Sequence, residues 1–122
     1  MGIIYKEETE FGKIIINENT IFQMILPEIE EYSKNIYIAN SKGKKTNKFY
    51  IENKNGVEVK INIVVKFGTS IQKVTEDIID IVYNQLSLIS GIKIRKISVV
   101  VVGVVAKKLA KRNVEVSREY DI

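Results

Sequence analysis

The carboxylates Glu76, Asp77 and Asp80 are the residues whose spacing comes nearest to chemistry, because on a helix Glu76 and Asp80 stack one turn apart with Asp77 beside them. A bound cation would need further oxygen ligands, and a general acid or base would need an orienting partner; the neighbouring residues supply neither. A plainer role is electrostatic, since negative charge is favourable near a helix N-terminus. The chain contains no His and no Cys, which removes the commonest general base, the commonest metal ligand and any thiolate nucleophile. Gly43 and Gly56 stand alone, outside any phosphate-binding loop or dinucleotide fingerprint. No catalytic, cofactor-binding or metal-ligating residue is assigned.

Charge is the second candidate for chemistry. The net charge is +4, but residues 1–41 are acidic and the positive charge gathers in Lys42, Lys44, Lys45 and Lys48, and again in Lys107, Lys108, Lys111 and Arg112. Such clusters suit phosphate, anionic lipid or an acidic protein surface, or else form a solvated loop and a frayed tail. Aromatic residues do not alternate with the basic ones, which argues against nucleic acid.

The elements that must position these groups centre on residues 57–105. Val57, Val59, Ile61, Ile63, Val65 and Phe67 occupy every second position, the period of a strand with one face in the core. Gly68 breaks the run, and Thr69 with Gln72 forms a capping-box pattern that starts a helix near Ser70. On that helix Ile71, Val74, Ile78, Ile81, Val82, Leu86, Leu88 and Ile89 share a broad apolar arc, wide enough to touch both a sheet and a second helix. Gly91 closes it, and residues 92–105 read as a second long strand.

Upstream, residues 1–10 lack a periodic signal and read as a flexible arm. Gly12 opens a short strand over 13–16, and Asn17 caps a helix carrying Ile21, Phe22, Ile25, Leu26, Ile29 and Tyr32 on one side. Pro27 is expected to kink that helix or to divide it, since an interior proline costs about 3 kcal/mol. Residues 36–39 form the next strand, 40–47 a mobile loop, and 48–52 a short strand that Asn55-Gly56 folds back on the long one. The basic segment 106–122 reads as a mobile tail, leaving 11–105 as a single domain in a chain of 122 residues, 45% of them hydrophobic.

The fold class is α+β: a two-layer arrangement of a mixed β-sheet with two main helices on one face, in the order β-α-β-β-α-β. The last strand is apolar on both sides, so the face bearing Val100, Val102 and Val104 must be covered by the tail or by another subunit. These valines, with Lys107, Lys108, Lys111 and Arg112, make up the candidate interaction surface. The longest apolar run is far short of the roughly 20 residues of a membrane-spanning helix, and the N-terminus lacks the apolar core of a signal peptide. A soluble protein of a reducing cytoplasm is expected.

The stretch Gly12-Lys13-Ile14-Ile15-Ile16-Asn17, the run Val64-Val65-Lys66-Phe67-Gly68-Thr69 into a helix, and Gly91 followed by Ile97-Ser98-Val99-Val100-Val101-Val102-Gly103 together resemble the alkaline shock protein family of Gram-positive bacteria, the Gls-type general stress proteins. The chain departs from that pattern at Asn35-Ile36, where a Gly-Val pair is usual, and at Pro27, in what is usually an Ala-rich helix. The resemblance implies a non-enzymatic cytoplasmic scaffold of cell-envelope stress homeostasis, able to self-associate as a homo-oligomer and brought near the membrane by a partner. It further implies a membrane-anchored relative as one such partner and, in one branch, a link to fatty-acid synthesis; it carries over no catalytic residue and no cofactor. The competing expectation is an RNA-binding module of KH-like α/β architecture using the Lys42–Lys48 loop, although the Gly-x-x-Gly clamp is missing.

Overall fold

The computed structural model describes residues 2–106 and 109–120, with side chains omitted over 109–113. Its elements run β1 (Ile3–Thr9), β2 (Gly12–Asn17), α1 (Glu18–Tyr32), β3 (Ile36–Ala39), β4 (Tyr50–Asn53), β5 (Val57–Lys66), α2 (Ile71–Leu86), β6 (Ile94–Val105) and β7 (Leu109–Glu119). The α+β reading and the six expected elements hold, with a strand added at each end. β1 and β2 form a separate antiparallel hairpin, while β3, β5, β6 and β7 lie side by side in that order and β4 pairs with β5. Within the arm expected at 1–10, Ile3–Thr9 is the strand β1, and the strand expected at 13–16 lies outside the main sheet and pairs with it.

Periodicity explains the centre of the fold. Val57, Val59, Ile61, Ile63 and Val65 of β5, and Ile97, Val99 and Val101 of β6, point into one core shared with both helices. β5 and β6 are parallel neighbours, with α2 as the crossover between them. The α2 helix buries Val74, Ile78, Ile79, Val82 and Leu86, which at about 2 kcal/mol per buried aliphatic side chain is the largest stabilising contribution of any one helix here. Its cap is Ser70 rather than Thr69, the Ser70 hydroxyl accepting from the Lys73 amide at 3.4 Å. Phe67 and Leu88 fall outside the elements expected to bury them and are exposed. Gly91 takes φ +92°, and a Cβ there would come within 2.6 Å of the Tyr5 hydroxyl, so the residue serves both the reversal and the packing of β1.

The first helix begins as expected, with the Asn17 side chain accepting from the Thr20 amide at 3.2 Å. It passes through Pro27 without dividing. Both Pro27 and Gln23, whose carbonyl loses its partner, are on the exposed side, where water can satisfy that oxygen. The Asn55-Gly56 turn has φ of 54° and 117° and folds β4 antiparallel onto β5, as expected.

The two helices are also joined by a polar contact. The Tyr32 hydroxyl donates to Asp77 at 2.6 Å, and Lys73 reaches the same carboxylate at 3.1 Å. Burial first, then the hydrogen bond to Asp77, raises the Tyr32 phenol from 10.0 to about 12. The bonds from Tyr32 and Lys73 hold Asp77 below the ordinary carboxylate range. A raised phenol favours the folded state fully below its unfolded value, and that contribution is lost as pH rises from 10.0 to about 12. The Tyr32→Phe variant should accordingly lack this alkaline loss, worth at most about 2 kcal/mol after solvent screening of a part-exposed pair. Urea melts of both proteins at neutral pH and at pH about 11.5 check it: the stability gap between them should narrow at the higher pH.

Candidate functional site

The carboxylate trio does not converge. Asp77 is held by Tyr32 and Lys73, Asp80 by Arg118 at 3.0 Å, and Glu76 by Gln72 at 3.3 Å. Among the described residues no three His, Cys, Asp or Glu side chains come together as metal ligands.

The valines of β6 do not form one surface. Ile63 pairs with Val101 but Val64 with Gly103, so Val102 is an extra residue on β6 and the strand bulges there. A bulge inverts the alternation beyond it. Val100 and Val102 therefore lie on the sheet face away from the helices, while Val104 packs against the main core. Val100 and Val102 are themselves buried, in a second small cluster with Ala39 and Val64 that Tyr37 and Val105 flank. The rest of that face is polar: Lys60 faces Glu115 at 3.9 Å, the Ser98 and Ser117 hydroxyls are 3.0 Å apart, and Glu58 pairs with Arg95.

The tail, expected to be mobile or to cover this face, instead extends the sheet as β7, antiparallel to β6 from Val105↔Leu109 to Lys96↔Glu119. Lys111 lies opposite Gly103, and Arg112 falls in the same strand. Lys107 and Lys108 lie outside the described residues.

The segment expected to be a mobile loop, 40–47, is an organised turn on the outer edge of β3. Asn40 Oδ1 accepts from the amides of Lys42 and Lys44, at 2.9 and 3.0 Å. Lys45 bridges to Ala39, and the Thr46 amide donates to the Ile38 carbonyl at 3.0 Å. The Tyr37 hydroxyl donates to the Gly43 carbonyl at 3.2 Å. Lys42, Lys44 and Lys45 in the turn and Lys48 just after it are exposed, and among the described residues none of the four is in a salt bridge.

Two features lie beyond what residue order alone suggests. One is a groove of about 710 Å³ between the C-terminal half of α1, the outer edge of β3 and this turn. The other is the β1–β2 hairpin, which among the described residues is held at its root: Ile4 is buried in the main core, Asn53 Nδ2 donates to the Ile4 carbonyl at 2.7 Å, and the Glu18 amide donates to the Gly2 carbonyl at 3.1 Å. Beyond that root Phe11 is 92% exposed, and Ile14 and Ile15 are exposed on opposite faces. The run Ile14-Ile15-Ile16 is the available signal, but three successive isoleucines point first to a strand of the core.

The fold and its surfaces define a small two-layer α+β protein whose charged groups are paired locally or project into solvent. Residues 37–106 match the alkaline shock protein 23 family, described by a cell envelope-related function; the match covers more than half the chain, and the chain belongs to that family. It spans β3 to β6 and leaves the hairpin, α1 and β7 outside, a shorter span than the resemblance noted from residue 11. No curated protein and no solved structure matches the chain. None of the described helices is long and apolar enough to cross a membrane.

Proposed function

We propose that the protein is a non-enzymatic scaffold of cell-envelope homeostasis, which associates with copies of itself and with a protein partner that holds it near the membrane. Family membership supports the envelope setting. The observation that carries the mode of action is the hairpin, a two-stranded blade with apolar residues bare on both faces. A two-stranded ribbon is marginal by itself in water, and apolar side chains on such an edge are stabilised by pairing with another chain.

Light scattering over a range of protein concentrations tests this. The molar mass should rise above that of a monomer for the native sequence, and the Phe11→Ser/Ile15→Ser variant should need about tenfold more protein to reach the same mass. A native chain that stays monomeric at millimolar concentration would remove self-association. A second reading, RNA binding, has the unpaired lysines of the 40–47 turn in its favour, and its mark is affinity that falls steeply with salt.

A further inference from the structure

We propose that the groove between α1 and the outer edge of β3 binds an extended peptide of a partner protein as an added strand, with acidic side chains alternating with apolar ones. This deepens the scaffold reading by giving the partner's contact segment a chemistry.

The edge itself is the first reason. The Lys66 amide donates to the Asn35 carbonyl at 2.7 Å, so Asn35 faces β5 and, by alternation along β3, the backbone groups of Ile36 and Ile38 face away from the sheet. The 40–47 turn occupies only the far part of this edge, through the Thr46 amide on the Ile38 carbonyl and the Asn40 amide on the Lys44 carbonyl at 2.8 Å. It stops there, and the edge at Ile36 opens into the groove. A short open edge beside a helix is the geometry in which extended peptides add to sheets, main-chain hydrogen bonds giving affinity and alternate side chains giving selectivity.

The walls then choose the side chains. A peptide residue opposite Ile36 shares the helix side of the sheet, where Leu26 and Ile29 line the groove and Glu30 would repel an acid. Its neighbours point to the other face, the face of Tyr37 and Ala39, where Lys45 stands opposite Ala39. Lys34 lines the same groove, and among the described residues neither Lys34 nor Lys45 has an ion-pair partner. Apolar positions toward the helix and acidic positions toward the lysines satisfy both walls.

The test uses the full chain and a dye-labelled peptide of alternating Val and Glu, with an alternating Val and Lys peptide as control. Fluorescence polarisation should show saturable binding of the first only, and amide shifts in two-dimensional NMR should centre on Ile36, Ile38, Leu26 and Ile29. N-methylation of the central peptide residues, which removes backbone donors and keeps the side chains, should weaken binding to the native protein about tenfold. The Lys34→Glu/Lys45→Glu variant should do the same, provided its spectrum stays dispersed. No binding, equal binding of the Lys peptide, or indifference to N-methylation would overturn the proposal. So would concentration-dependent broadening of those amides without peptide, which would give the edge to a second copy, or displacement by oligouridine, which would give the lysines to RNA. Self-association through the hairpin is read separately by light scattering, so either proposal can fail alone.

Discussion

A chain ending at Val105 should not fold stably: expressed alone it should partition into the insoluble fraction, or, if recovered, melt without a cooperative transition. Deleting β7 strips the pairing that runs along β6 from Val105 to Lys96. It also removes Val114, Val116 and Tyr120 from the margin of the main core, together with the Tyr83–Tyr120 ring stack at 5.1 Å and the Arg118–Asp80 bridge. Summed at roughly 1 kcal/mol for each part-buried side chain and each net ladder hydrogen bond, the loss exceeds about 5 kcal/mol, comparable to the whole stability of many small domains. The strand laid bare contains Val99, Val100, Val101 and Val102 in succession, an uncharged edge suited to pairing with other unfolded chains. Soluble yield and a thermal melt decide it; a truncated chain melting within a few degrees of the full one would show that β7 contributes little.

The same strand shows why some of the fold could be read from residue order and some could not. β5 and α2 were legible because each meets the core along one side, and burial imposes the period: Val57 to Val65 alternate, and Val74, Ile78, Val82 and Leu86 recur at helical spacing; β6, buried on both faces, was legible instead as an unbroken β-branched run after Gly91. β3 was legible to the residue for the same reason. β1 was not, because beyond its root the hairpin touches no core, so nothing forces Lys6, Glu7, Glu8 and Thr9 to alternate with apolar residues. β7 carried a signal in Val114 and Val116, half-buried, alternating with the exposed Glu115 and Ser117, but the basic residues before it masked the pattern. The bulge at Val102 was hidden by its setting, since one extra residue in a run of valines leaves no compositional trace. On that account Val104 does not share a face with Val100 and Val102. The groove beside β3 depends on the 40–47 turn stopping at Thr46, a tertiary detail with no periodic signature.

Whether the valines on the open face serve association or folding is decided by a charge placed among them. Val64 is 1% exposed and packs with Ala39, Val100 and Val102, whereas Asn62, two residues earlier on the same strand and face, lies between Ala39 and Val100 but is only half-buried, with Lys60 beside it at an open margin of the cluster. In the Val64→Asp variant the carboxylate has no cation in the cluster to pair with, and at a site this buried it loses its hydration shell. A buried unpaired charge of this kind costs several kcal/mol, and here about 3–5 kcal/mol is expected, lowering the melting temperature by more than about 10 °C. The Asn62→Asp variant adds the same charge where Lys60 and solvent are near, and should shift the melt by less than about 2 °C. Had the valine face been a free docking surface, the order would invert: Val64→Asp would leave the melt of dilute monomer unchanged and abolish only association. Thermal melts at micromolar concentration, where association is negligible, separate the two, and a large fall for Val64→Asp alone places these valines in the folding of the single chain, leaving the hairpin and the β3 edge as the surfaces open to partners.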